Sequence, residues 1–259
     1  MDAVILAGGK GTRLASKVQD VPKVMAPVNG RPFLEYVLDH LARFGIERAV
    51  LATGYMAETV SGHFGSSYRG IELLYSVEKS ALGTGGAVKN AARYCRGDDF
   101  FIFNGDTLFE VDLNDMRTFH LINSCPLTLA VKPMNDFDRY GSVVIDGGRA
   151  VAFREKKRTT SGFINGGVYI IKRELIYSTA REVFSFEKDM LEAGVFPIGA
   201  FISDTYFIDI GVPDDYEKAN EELGFHKALF LDRDGTIHED VGHLSDPSKL
   251  SFLPGVIEA

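Results

Sequence analysis

The stretch Met1-Asp2-Ala3-Val4-Ile5-Leu6-Ala7-Gly8-Gly9-Lys10-Gly11-Thr12-Arg13-Leu14 decides the fold class. Residues 3–7 form a short apolar run, the pattern of a strand covered on both faces in a parallel sheet. Glycines follow at once. Without Cβ atoms the backbone reaches positive φ and approaches a ligand closely. Successive N–H groups in such a loop make a concavity suited to phosphate oxygens. Lys10, Thr12 and Arg13 add positive charge and a hydroxyl. The spacing is neither that of a P-loop nor the dinucleotide-binding Gly-x-Gly-x-x-Gly. Glycines alone are also compatible with a tight turn that serves packing.

Working outward, 16–31 is polar and broken by prolines, which predicts a long loop holding Pro22 and Lys23. The spacing over 33–44 predicts an amphipathic helix closed by Gly45. Residues 49–53 and 71–76 read as strands, with a helix over 56–64 between them. Alternating strand and helix is the signature of an α/β domain. A second glycine-rich turn, Gly83-Thr84-Gly85-Gly86, opens a helix to about residue 94, with Thr84 near its cap. Residues 99–103 form an apolar strand ending in Asn104-Gly105-Asp106-Thr107. A carboxylate at the carboxyl end of a central strand lies where open α/β sheets bind ligands.

Asp112 is expected to cap a helix over 112–122, followed by a strand over 126–131 and a polar loop over 135–141. Residues 142–145 and 150–154 predict a hairpin about Gly147-Gly148. The run 154–158 is mostly basic, as in a solvated loop. The strand over 163–171 is interrupted by Gly166 and Gly167, and interior glycines suggest that something approaches its backbone. A short helix over 186–192, capped by Ser185, is followed by a strand over 206–210 bearing Asp209. Pro213 opens a helix to about residue 223.

The 259 residues carry 28 basic and 36 acidic side chains, a net charge of −8, and 45% hydrophobic residues. That is ample for a core. No basic stripe marks a nucleic-acid partner. No segment is apolar and long enough to span a membrane. Cys95 and Cys125 are widely spaced in apolar surroundings, as in reduced cysteines of a cytoplasmic protein.

The run 6–14 together with Pro22-Lys23 resembles the signature of sugar-1-phosphate nucleotidyltransferases. The resemblance extends to about residue 225. It implies an α/β, Rossmann-like three-layer nucleotidyltransferase fold, with a mostly parallel mixed sheet and a small β region for the sugar. It implies that a nucleoside monophosphate passes from a nucleoside triphosphate to a sugar 1-phosphate, releasing pyrophosphate, with Mg2+ as cofactor; the sequence does not fix the base, and GTP is the expected donor. Leu6, Ala7, Gly8, Gly9, Gly11, Thr12, Gly83 and Thr84 match nucleotide-binding positions. Glu78 can accept from adjacent donors on a guanine edge, by chemistry alone. Arg13, Lys23 and Asp106 match catalytic positions, and Asp106 and Asp209 the metal-binding aspartates. Tyr140, Gly141, Glu155, Lys156, Asn165 and Gly166 match the sugar-phosphate pocket. The segment 186–192 also resembles a family segment, without a role for Glu187. A homodimer is compatible with the resemblance, and a regulatory nucleotide-sugar-binding protein without chemistry is the rival of another class.

Beyond residue 225 a second resemblance begins. An apolar strand over 227–231 ends in Asp232-Arg233-Asp234-Gly235-Thr236, like the first motif of haloacid-dehalogenase-type phosphatases. There Asp232 matches the nucleophile and Asp234 the general acid/base. Residues 238–258 further resemble heptose-1,7-bisphosphate 7-phosphatases. The expected organisation is therefore a transferase domain over 1–225 and, over 226–259, the first piece of a fused phosphatase domain. A 7-phosphatase releases heptose 1-phosphate, so D-glycero-D-manno-heptose 1-phosphate is the expected sugar, with mannose 1-phosphate the nearest alternative. The later phosphatase motifs do not occur in the 259 residues. The chain is thus expected not to hydrolyse sugar bisphosphates, and release of inorganic phosphate from heptose 1,7-bisphosphate by the purified chain would refute this.

Overall fold

The computed structural model describes residues 1–9, 11, 14, 18, 21–224, 232, 236–239, 242, 246, 248 and 250–256. The chain divides into two compact units, Met1–Gly224 and Phe225–Ala259. In the first unit β1 (Asp2–Leu6) is followed by a 3-10 turn at Lys23–Met25 and the short ladder of β2 (Pro27–Val28) and β3 (Arg31–Pro32). These occupy part of what the sequence predicts as a loop. Next come α1 (Phe33–Arg43), β4 (Arg48–Thr53), α2 (Ala57–Phe64), β5 (Ser67–Tyr68), β6 (Ile71–Val77), α3 (Gly83–Ala92), β7 (Asp99–Asn104) and β8 (Thr107–Phe109). α1 ends as expected at Gly45, whose φ is +67°. Gly45 N–H donates to Ala42 O and Ile46 N–H to Leu41 O, the paired bonds of a Schellman motif.

The second half comprises α4 (Leu113–Asn123), β9 (Leu127–Phe137), β10 (Ser142–Asp146), β11 (Arg149–Arg154), β12 (Thr159–Lys172), α5 (Arg173–Tyr177), β13 (Ile198–Ile202), β14 (Phe207–Asp209) and α6 (Pro213–Glu222). A π-helical turn spans Glu187–Leu191. Asp112 caps α4, its carboxylate accepting from the N–H groups of Asn114 and Asp115 at 2.9 Å. Pro213 opens α6. Gly147 and Gly148, both at positive φ, turn the β10–β11 hairpin.

Ten strands form one sheet in the order β10-β11-β13-β9-β12-β7-β1-β4-β6-β5. Pairing is parallel across β7-β1-β4-β6 and between β9 and β13, and antiparallel elsewhere. The sheet is mixed, but parallel pairing prevails only on the β1 side. β12 turns the order around by pairing antiparallel with both β7 and β9. The predicted polar loop over 135–141 is correspondingly shorter, because β9 runs on to Phe137 against Thr159 of a β12 longer than predicted. β13, absent from the sequence reading, fills the place between β9 and β11. Two apolar clusters, one on each sheet face, complete the layers. Cys95 and Cys125 are both free and buried. Among the described residues no helix is long and apolar enough to cross a membrane.

In the second unit, His238 and Phe252 form an antiparallel bridge, flanked by Glu239 N–H to Ser251 O and Leu253 N–H to Ile237 O. Asp232 is exposed. Asp234 and the expected strand over 227–231 lie outside the described residues.

Gly166 stands in a break of the β12–β9 ladder. A Cβ there would fall 2.3 Å from the Phe109 ring. Overpacking of this kind costs about 1–3 kcal/mol. Gly166→Ala should therefore lower the thermal midpoint by roughly 2–10 °C. Gly62, in α2 with open space around it, should behave oppositely. Gly62→Ala should raise stability by about 0.5–1 kcal/mol by restricting the unfolded chain. Calorimetry of the two variants against the parent checks both signs.

Candidate active site

A cleft opens at the carboxyl ends of the parallel strands, where sheets of this kind bind ligands. Ala7 N–H donates to Ala52 O at 2.8 Å, and Gly105 N–H to Leu6 O at 3.0 Å, so the ends of β1, β4 and β7 are tied together. Gly8 lies close to Gly54, with a Cβ position 3.4 Å from its nitrogen, while Gly9 faces open space. Leu6, Gly8 and Gly9 line one wall of a pocket of about 360 Å³, and Glu78, Gly83 and Thr84 line another. Ala7 is buried beneath it. Gly11, at φ +63°, packs on Lys23, and a Cβ there would fall 2.9 Å from Lys23 Cβ. Thr12 and Arg13 lie outside the described residues. Burial raises the Glu78 carboxyl above its ordinary range, opposed by the N–H of Leu82 donating to it at 3.2 Å.

Asp106 and Asp209, 103 residues apart, meet on the cleft floor. β8 follows Asp106 directly, and β14 ends at Asp209 paired with Thr107 of β8. Ile210 N–H donates to Asp106 O. Lys23, delivered by the 3-10 turn, donates to the Asp106 carboxylate, and its ammonium lies 3.7 Å from Asp209 Oδ1. Gly211 N–H donates to the same oxygen at 2.7 Å. Burial, then the Asp106 charge, raises the Asp209 carboxyl above the usual aspartate value, against Lys23 and the Gly211 N–H.

Two further pockets adjoin this floor. One, of about 440 Å³, is lined by Lys23, Asp106, Asp209, Tyr140, Lys156 and Arg139, whose guanidinium pairs with Asp215 at 2.6 Å. The other, of about 550 Å³, is lined by Gly141, Glu155, Lys156, Asn165 and Glu187. Asn165 Oδ1 accepts from Gly167 N–H at 2.9 Å and Tyr169 O–H at 3.0 Å. Gly166, expected in this pocket, does not line it. It is buried under Phe109, which is the group that approaches the strand backbone.

The second glycine turn differs from the sequence reading in two ways. Thr84 lies near the cap of α3 as expected, two residues after Leu82, but no side chain caps the helix. The Thr84 hydroxyl instead donates to the Glu187 carboxylate at 2.6 Å and accepts from Phe186 N–H. Gly85 and Gly86 serve packing, because Cβ atoms there would fall 2.2 Å from the Phe184 ring and 2.3 Å from Glu182 O. Ser185 does help to start the turn at Glu187–Leu191, its hydroxyl accepting from Lys188 N–H, but that turn is π-helical. Glu187 lines both the glycine-loop pocket and the Lys156 pocket. Sequence reasoning missed it and Arg139, since neither sits in a glycine-marked motif. The family-like segment 186–192 was the only signal.

The profile of the nucleotidyl transferase family matches residues 2–224. The chain belongs to the nucleotidyl transferase family. It is 48% identical over 226 residues to a D-glycero-alpha-D-manno-heptose 1-phosphate guanylyltransferase of Aneurinibacillus thermoaerophilus, covering 86% of this chain and 98% of that one. It is 42% identical over 219 residues to the Campylobacter jejuni protein of the same description, covering 83% and 97%. The structure of HddC from Yersinia pseudotuberculosis complexed with GMP-PN superposes with a TM-score of 0.79 at 37% identity, covering 86% of this chain and 99% of that one. This nucleotidyl transferase is thus an enzyme of the α/β class with a mixed sheet, as its sequence predicts.

Nucleotidyl transferases use a divalent cation as a rule, and the floor suits one in a particular way. Among the described residues no group of three or more His, Cys, Asp or Glu side chains is placed to hold a metal. Asp106 and Asp209 offer hard oxygen donors, with a positive charge, the Lys23 ammonium, already bound beside both. That donor set fits Mg2+, which is commonly held by one or two carboxylates and completed by substrate phosphates.

The raised Asp209 carboxyl makes a pH prediction. The folded state binds its proton more tightly than the unfolded chain. Its contribution to stability is then full below the ordinary aspartate value and is lost as pH rises through the folded value. Asp209→Asn should melt higher than the parent at neutral pH, with the gap closing toward pH 4. Melting curves without divalent cations across that range provide the check.

Proposed function

We propose that the chain transfers GMP from GTP to D-glycero-D-manno-heptose 1-phosphate, releasing pyrophosphate. The observation that carries this reading is the shared floor, where Lys23 bridges Asp106 and Asp209 between a glycine-walled pocket and one bearing Lys156. The two heptose 1-phosphate guanylyltransferases the chain resembles support heptose as the sugar, and the GMP-PN complex of the Yersinia protein supports a guanine nucleotide. The Asp232-x-Asp234 resemblance supports the same sugar, if 226–259 opens a 7-phosphatase domain.

A sugar 1-phosphate oxygen attacks the α-phosphorus in line. The new phosphorus–oxygen bond forms as the bond to the bridging β-oxygen breaks, and pyrophosphate carries off the electron pair. The nucleophile is already ionised, so no general base is needed, and the chain acts by placement and charge stabilisation. N–H groups of the loop 8–11 hold phosphate oxygens, and Arg13 meets the leaving pyrophosphate with planar donors. Lys23 offsets charge at the α-phosphate. Lys156 meets the 1-phosphate, while Glu155 and Asn165 bond sugar hydroxyls. Glu78 accepts from the guanine edge. Mg2+ held by Asp106 and Asp209 would supply charge neutralisation at the reacting phosphates.

Pyrophosphate release, measured for each common nucleoside triphosphate against heptose, mannose and glucose 1-phosphates, tests the reading. The expected maximum is GTP with heptose 1-phosphate. Asp106→Ala should lower that rate by roughly a hundredfold, the scale of losing one electrostatic stabiliser. A wild-type rate in the variant would remove Asp106 from the chemistry. A maximum with another nucleotide or sugar would reassign the substrates.

A further inference from the structure

We infer that Glu187 accepts a hydrogen bond from a ring hydroxyl of the sugar and thereby sets which pyranose 1-phosphate the site takes. This rests on the transferase reading above and adds a specificity-determining residue to it.

Glu187 is half-buried and stands where the two substrate pockets meet. Thr84 and Ser185 hydroxyls both donate to its Oε2, at 2.6 and 3.0 Å. Those two bonds fix the carboxylate plane. Among the described residues no donor meets Oε1, and no Lys, Arg or His forms an ion pair with the group. A carboxylate accepts hydrogen bonds only, and charged acceptors form the stronger ones. Half-buried without a cation, it calls for a donor from the ligand.

Asn165 supplies the complement. Its Oδ1 is taken by Gly167 N–H and Tyr169 O–H, and among the described residues its amide N–H groups meet no acceptor, which leaves them for the Lys156 pocket that Asn165 lines. A hydroxyl donates one hydrogen and accepts another. An acceptor and a donor lining one pocket therefore match a sugar hydroxyl.

The backbone around Glu187 is locked in place. Gly85 and Gly86 N–H groups donate to Phe184 O, and Phe184 N–H donates to Leu82 O. Cβ atoms on Gly83, Gly85 or Gly86 would fall 2.2–2.5 Å from residues 182–184. The second glycine turn is thus the seat on which residues 182–187 lie. Phe186 is buried edge-on to Tyr169, 5.0 Å between ring centroids, which joins this segment to the strand of Asn165. The π-helical turn begins at Glu187, and such turns recur at functional sites.

The test compares the chain with Glu187→Gln, which turns the free acceptor into a donor at nearly constant shape. Substrates are GTP with mannose 1-phosphate, heptose 1-phosphate and the monodeoxy mannose 1-phosphates. Glu187→Gln should raise KM for the sugar phosphate about tenfold or more, the scale of a lost charged hydrogen bond. KM for GTP should stay within about twofold. One monodeoxy analogue should be poor with the wild type, yet used equally by wild type and variant, a pattern that a structural role does not produce. Glu187→Asp, which keeps an acceptor, should fall between and serves if Glu187→Gln does not fold. Unchanged sugar KM, or a parallel loss with every analogue, overturns the inference while the transferase reading stands. A wild type that releases no pyrophosphate with any sugar phosphate overturns that reading, and the inference with it.

Discussion

Lys23 lies between two carboxylates that the fold forces together. Asp106 leaves the end of β7 and Asp209 the end of β14, and the β8–β14 ladder brings them to one spot. Partial burial first, and then the charge of Asp106, make Asp209 hold its proton more tightly than an ordinary aspartate. The ammonium offsets this. Room for the arrangement comes from missing side chains. A Cβ on Gly11 would strike Lys23, one on Gly211 would fall 2.8 Å from Asp209 Oδ1, and one on Gly105 would fall 2.6 Å from Leu6 O. Three glycines from distant parts of the sequence thus surround one ion-pair cluster.

The sheet divides the work around that cluster. Its parallel side ends in the glycine loop and the pocket of Glu78 and Thr84. Its antiparallel side supplies Asn165 from β12 and Glu155 and Lys156 just after β11. β12 is central to this plan, since it joins β7 to β9 and carries a ladder break starting at Asn165, which lines the Lys156 pocket. At that break the Asn165 side chain accepts from Gly167 N–H and Tyr169 O–H. Sheets of this kind bind ligands at the carboxyl ends of their parallel strands, and here the antiparallel extension walls a second, adjoining pocket.

Glycine content shows how far a sequence can be read here. The strand end before the first glycine turn is a local matter: β1 stops at Leu6, and Gly8 and Gly9 follow within three positions. The second turn reads as part of the nucleotide site, but Gly85 and Gly86 answer to Phe184 and Glu182, about a hundred residues later. Gly166 answers to Phe109, whose ring packs against it from more than fifty residues earlier. A glycine announces that something comes close, and only the packing says what.

Local rules decided much from the chain alone. Caps and stops at Gly45, Asp112 and Pro213, the turn at Gly147-Gly148 and the alternation of strand and helix all depend on neighbours a few residues away. The motif around 6–14 and 22–23 likewise carried the family by itself. The tertiary structure alone decided what depends on distant segments meeting: the placement of β13, the antiparallel half of the sheet, the encounter of Asp106 with Asp209, and the mounting of Glu187 on the start of α3. Hydrogen bonds and steric exclusions set those encounters between segments up to about a hundred residues apart, and no short-range pattern encodes them.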